Sequence, residues 1–279
     1  MSRLRDAIAK TLLSAGRPHI GHETGRLHAN VACSTTPAIK ETSTVAASRW
    51  QGHISVQEAK AGYQICLDGR PLRTPARLPL VMPNRALALA VAAEWQWQDN
   101  LKIRPFTMPL MSLAATAIDQ PKDRSLVIDT LLTYLHADAA CCRDAPGLLS
   151  DRQALVYDPI LAWASKFLSA EFNISDSIFG AQQPQRAVEA VQSYLEGLSA
   201  WQLAATEQLI GTCRSLLVGV AVAEGHLDLK QALQAARLEE EFQIDAWGLV
   251  EGGHDVDQAN AKVQVAASSL FLRLLHKPT

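Results

Sequence analysis

Between His53 and Val81 hydrophobic and polar positions alternate with a period of two. Ile54 and Val56 share one side of a first strand, and Tyr63, Ile65 and Leu67 share one side of a second. The AKAG stretch turns the chain between them. Asp68-Gly69 follows as a tight hairpin signal, because such a turn needs positive φ. Pro71 and Pro75 suit an edge strand or its exit. LPLV forms a further short strand closed by Pro83, so this part reads as a small antiparallel sheet.

After Pro83 the period becomes helical and stays so. Asn84 caps a helix reaching Trp97, with Leu87, Val91 and Trp95 on one side. Pro109 opens a helix whose Leu110, Leu113, Ala117 and Ile118 share a face. Asp123 starts another, with Val127, Leu131, Tyr134 and Leu135. Ser150 caps a segment running to Tyr157, and Asp158-Pro159 either kinks it or begins a new helix. Helices over 185–198 and 199–223 follow. Asp228 caps a helix running to Trp247, with Gly248 at its end, and Asp257 caps the last. Strands first and helices afterwards give an α+β fold. A small antiparallel β-rich N-terminal domain with helices spans residues 49–120, and an all-α C-terminal domain spans 121–279.

Residues 1–48 differ from the rest. Arg3, Arg5, Lys10, Arg17 and Arg26 stand among many Ser, Thr and Ala, with only Asp6, Glu23 and Glu41 as acids. Leu4, Ile8, Leu12 and Ala15 recur at helical spacing. This is the composition of a mitochondrial transit peptide, disordered on its own. The 279-residue chain carries a net charge of −2 and a pI near 6.4. Neither nucleic acid nor an anionic membrane is thereby indicated as a partner. No apolar run is long enough for a stable membrane insertion. Five cysteines with no CxxC spacing read as free buried thiols. No phosphate-binding glycine loop, GxSxG elbow or HExxH motif is present, which leaves no metal and no cofactor. Arg70, Arg73 and Arg77 could form a basic edge, although charges that protect a strand are the commoner case. Nothing calls for a second copy, so the chain is expected to be monomeric.

The chemistry that stands out is RLEEEFQIDAWG (237–248). On a helix from Asp228 to Trp247, residues Leu229, Leu233, Ala236 and Trp247 lie on one stripe, and Glu240 and Gln243 fall inside it. Leu238 and Phe242 lie on the opposite face, so either side could meet the core. If the stripe is core, Glu240 is a buried acid, and an unpaired buried carboxylate costs several kcal/mol, roughly what a domain has to spare. It then needs a cation, for which Arg214 on the preceding helix is a candidate, or a bound proton. Otherwise the stripe is a surface that a partner covers. A second arrangement would set Glu240 with His254 as the acid and base of a small hydrolase or lyase. No nucleophile or cofactor motif accompanies them.

Several stretches in order resemble one family: LDGRPLRTP (67–75), AVAAEWQWQ (90–98), MPLMSLAATAID (108–119), YLHADAACCR (134–143), YDPILAWA (157–164), RLEEEFQIDAWG and EGGHDVD (251–257). They are similar to the mitochondrial ATP synthase assembly factor that chaperones the alpha subunit of the catalytic head. That resemblance implies a non-enzymatic chaperone in the mitochondrial matrix. It would bind the unassembled alpha subunit and prevent its aggregation until the beta subunit replaces it. It also implies an N-terminal α+β domain, a helical C-terminal domain, and a functionally important acid, matched here on Phe242-Gln243 to Glu240. The Cys141-Cys142 pair departs from the family's usual Cys followed by an aromatic residue. With Glu240, Gln243 and Trp247 form the expected partner-binding set.

Overall fold

The computed structural model describes residues 53–98, 103–177, 179–248 and 254–276, all within one compact unit. Residues 1–48, expected from their composition to be a transit peptide, lie outside the described residues, and Cys33 with them. Strand β1 (Ile54–Ala59) runs antiparallel to β2 (Gly62–Leu67), in a register that sets Ile54 opposite Leu67 and Ala59 opposite Gly62. Short β3 (Arg70–Pro71) and β4 (Val81–Met82) pair with opposite ends of β2. The expected hairpin turn is present: Asp68 and Gly69 take φ of 50° and 75°, the positive pair that such a turn requires.

Ten helices follow among the described residues. They are α1 (Arg85–Gln96), α2 (Pro109–Asp119), α3 (Arg124–His136), α4 (Leu148–Leu168), α5 (Gln185–Gly197), α6 (Ala200–Cys213), α7 (Leu216–Ala223), α8 (Leu229–Ala236), α9 (Leu238–Trp247) and α10 (His254–Leu275). Helix α1 packs on β1 and β2, and its core side is Leu87, Val91 and Trp95, as the spacing predicts. Asn84 caps it through Oδ1, which accepts from the Leu87 amide at 2.9 Å. The same side chain donates through Nδ2 to the Leu274 carbonyl at 2.9 Å, so the start of α1 is tied to the end of α10. Helix α10 also packs on α6, α2 and α8, and one apolar core runs from Ile65 and Met82 through Leu209 and Ile210 to Phe271.

Four helix boundaries differ from the periodicity. The helix over 199–223 breaks at Arg214, which takes left-handed φ of 52°. Helices α6 and α7 can then pack closely, because a Cβ at Gly219 would stand 2.6 Å from Ile210 Cγ1. The helix over 228–247 breaks at Arg237. Helix α4 starts at Leu148, with Ser150 inside it, and continues through Pro159. The carbonyl that Pro159 deprives of a partner belongs to Leu155, on an exposed turn where Leu155 is 77% accessible. Helix α10 starts at His254, ahead of Asp257.

Candidate functional site

The break at Arg237 decides which side of α9 meets solvent. Arg237 ends α8, its amide bonded to the Leu233 carbonyl, and its own carbonyl accepts from Glu241 N to begin α9. The backbone there (φ −119°, ψ 14°) is not helical. The stripe through Leu229 and Leu233 therefore does not run on into α9. The buried side of α8 is Ala232 and Ala235, continued by Leu238.

Two polar bonds fix α9 on α4. Arg152 Nη1 meets Asp245 Oδ2 at 2.8 Å, and Gln153 Nε2 donates to Glu239 Oε1 at 2.9 Å. Asp245 and Glu239 flank the Leu238–Phe242 side, so that side faces α4. Glu240, Gln243 and Trp247 share the other side. Gln243 is exposed and Trp247 is 82% exposed. The three residues singled out from the sequence thus share one side of α9, with Gln243 and Trp247 outward and Glu240 half-buried at its start.

Glu240 itself requires two corrections. Its side chain is 33% exposed, half-buried at the surface and not enclosed in the core. Its cation is Arg237, whose Nη2 lies 2.8 Å from Glu240 Oε1. Arg214, the partner expected from the sequence, caps α6 on the exposed surface. The buried member of the pair is the arginine, at 8% exposure.

The deeply buried acid is Asp138, with no exposed surface. It sits between α3 and a short 3-10 turn (Ala139–Cys141). Oδ1 accepts from the Ala140 amide at 2.9 Å and from Ser215 Oγ at 2.6 Å, and Oδ2 accepts from the Leu217 amide at 3.0 Å. It therefore caps its own turn and the start of α7 together. Burial pushes its carboxyl pKa up, while the bonds from Ser215 and the backbone amides pull it down. The signal in the sequence was a lone acid between the apolar stretches around Leu135 and Ala140.

Next to it, Arg143 donates to the Ala140 and Cys142 carbonyls, pairs with Asp158 at 2.6 Å, and lies over the Tyr157 ring at 5.5 Å. Tyr157 OH donates to the Ala235 carbonyl at 3.0 Å, and Gln153 Oε1 accepts from the Asp144 amide at 2.7 Å. Three of the quoted stretches, around Asp138, Tyr157 and Glu239, thereby converge on α4. Burial pushes the Cys141 and Cys213 thiols up to about 12, so neither is a nucleophile at neutral pH. The four cysteines among the described residues are free.

Glu94 is a second acid that the sequence reading missed. It reaches from α1 to the open start of α2, where its two oxygens accept from the Leu110 and Met111 amides at 2.9 and 2.8 Å. Met108 offers no side-chain cap there, so the first amides of α2 needed an acceptor from elsewhere. Burial pushes Glu94 up to about 7, against the pull of those two amide bonds.

His254 opens α10, and its side chain lies outside the described residues. A cleft of about 480 Å³ between α2, α3 and α6 is floored by Leu113, Val127, Leu131 and Leu203, with Lys122 and Glu207 at its edge. Glu240 does not line it. Arg70, Arg73 and Arg77 are exposed near the sheet, and Arg73 Nη1 donates to the Arg77 carbonyl at 2.8 Å. Among the described residues no helix is long and apolar enough to cross a membrane.

The profile of a family described as ATP12 chaperone protein matches residues 48–165. The mitochondrial protein atp12 of Schizosaccharomyces pombe is 27% identical over 224 residues, covering 76% of this chain and 77% of that protein. The mitochondrial protein ATP12 of Saccharomyces cerevisiae is 29% identical over 262 residues, covering 77% and 80%. The crystal structure of Atp12 from Paracoccus denitrificans superposes with a TM-score of 0.74 at 32% identity, covering 81% of this chain and 97% of that one. The same small antiparallel sheet followed by helices is the shared fold, and the chain belongs to the ATP12 chaperone family, the ATP synthase assembly chaperones that its ordered motifs resemble.

Proposed function

We propose that this protein binds the unassembled alpha subunit of the ATP synthase catalytic head in the mitochondrial matrix, with residues 1–48 as the leader that takes it there. It keeps the subunit from aggregating until the beta subunit replaces it. The docking face is the outward stripe of α9, with Gln243 and Trp247 as its contacts. The observation that carries this reading is Trp247, an indole 82% exposed on a helix anchored on its other side to α4. Large aromatic rings contribute most where they enter a partner's apolar surface. A subunit waiting for its neighbour in a ring has such a surface, and covering it limits aggregation. Release then requires only that the final interface bind more tightly, with no catalytic step.

The test is co-purification of the full chain with the alpha and beta subunits separately, read by size exclusion. The reading expects a soluble complex with alpha and none with beta. A folded chaperone that captures no alpha subunit would overturn it.

A further inference from the structure

The junction between α8 and α9 holds a buried cation. Arg237 is 8% exposed, and its Nε has no hydrogen-bond partner while Nη2 meets Glu240 Oε1 at 2.8 Å. A guanidinium at this depth is tolerated only beside a counter-charge, and removing one member of a buried pair costs far more than the intact pair contributes. The neighbouring acids do not serve. Glu239 is engaged by Gln153 on α4, and the Glu241 carboxylate has no hydrogen bond or ion pair among the described residues. Glu240 is therefore the counter-charge of Arg237.

The spacing gives that pair a geometric consequence. Arg237 ends α8, and Glu240 lies three residues on, in the first turn of α9. The 2.8 Å contact ties the first turn of α9 to a guanidinium buried at the end of α8. Trp247 stands seven residues beyond Glu240, about 10 Å along the helix at 1.5 Å per residue, so a change of direction at Arg237 moves Trp247 by several ångströms.

We infer that Arg237 and Glu240 form a latch that aims α9, and that Glu240 is a positioning residue for the docking face and not a contact of the client. This inference rests on the reading of the α9 stripe given above. The latch predicts a particular pattern of failure and rescue. Glu240→Lys places a second cation against the buried one, and α9 swings away. Glu240→Gln keeps a hydrogen-bond acceptor and most of the geometry. Arg237→Met together with Glu240→Gln removes the buried charge and its counter-charge at once, which relieves the need for the latch.

The experiment compares these variants of the full chain by backbone hydrogen exchange over 238–247 and by capture of purified alpha subunit. Glu240→Lys is expected to exchange at least about tenfold faster over 238–247, with the amides of α6 unchanged, and to lose capture. The double variant is expected to recover both protection and capture to within about twofold of wild type. The inference is overturned if Glu240→Lys loses capture with its α9 amides as protected as in wild type. It is equally overturned if the double variant regains protection without capture, since Glu240 would then be touching the client. Should wild type itself capture no alpha subunit, the functional reading fails, and the latch stands or falls on the exchange data alone.

Discussion

Two acidic regions converge on the Gln153–Tyr157 side of α4, and they meet opposite physical demands. Asp138 is wholly buried and accepts three hydrogen bonds from three different residues. Its carboxylate replaces water for two helical starts at once. On α9, three adjacent acids lie in the first turn, where a helix dipole favours negative charge. There the carboxylates are partly in solvent, and the buried charge is the arginine beside them. An acid is held in a core when it collects amide and hydroxyl donors, and at a surface when it neutralises a cation that is itself buried. The first kind is part of the fold. The second kind leaves the rest of its helix free to serve a partner.

Substitutions should separate the two regions, with the largest effect inside. Asp138→Ala leaves Ser215 Oγ and two backbone amides without their acceptor in a closed space. A loss of about 3–5 kcal/mol is expected in denaturant unfolding, and any loss of client capture should track the unfolded fraction. A variant as stable as wild type would place Asp138 outside the core's hydrogen-bond framework.

Next comes Gln153→Ala, which unties the Asp144 amide from α4 and α4 from Glu239. A cost of about 1–2 kcal/mol is expected, with faster hydrogen exchange over 238–247 than over α6. Uniform exchange would mean that α9 is not held by this contact.

Glu94 provides a control outside both regions. Its folded pKa of about 7 exceeds its ordinary value of 4.5. Between those values the folded chain holds a proton that the unfolded chain releases. The contribution of Glu94 to stability therefore rises as pH falls through 7 towards 4.5, and is smallest above 7. Relative to Glu94→Gln, wild type should gain on the order of 1 kcal/mol between pH 8 and pH 5. Parallel profiles for the two proteins would contradict the burial of this carboxyl.

The smallest effect on stability and the sharpest on function belong to Trp247→Ala. An exposed side chain away from caps and core should change unfolding by no more than about 0.5 kcal/mol. Capture of the alpha subunit should weaken by about tenfold or more.

Much of this architecture was legible in local signals. Asp68-Gly69, Asn84, Pro109 and Asp228 each specify their turn or helix start through φ or a side-chain cap, and each acts as expected. Breaks without such punctuation were not legible. Arg214 takes left-handed φ with no glycine to announce it, and α7 reads LLVGVAVA, apolar on every side, so no stripe shows where one helix stops. Arg237 likewise ends a helix between Ala236 and Leu238 with no glycine or proline to mark the break. Glu240 falls on the stripe of Leu229 and Leu233 only on a helix continuous through Arg237, and the break there removes that alignment. Its membership with Gln243 and Trp247 survived the break, since all three lie within α9. Asp138 and Glu94 were missed because their partners, Ser215, Leu217, Leu110 and Met111, are distant in sequence or belong to backbone that composition does not describe.

The most direct test of the account is a photo-cross-linking residue placed at position 247 of the full chain, irradiated with purified alpha subunit and, separately, with beta subunit. The account predicts a cross-linked product with alpha and none with beta, and no product when the same residue replaces Glu58 on the remote sheet. A folded protein that captures alpha yet cross-links to it from position 58 and never from position 247 would contradict the claim that the outward stripe of α9 is the docking face.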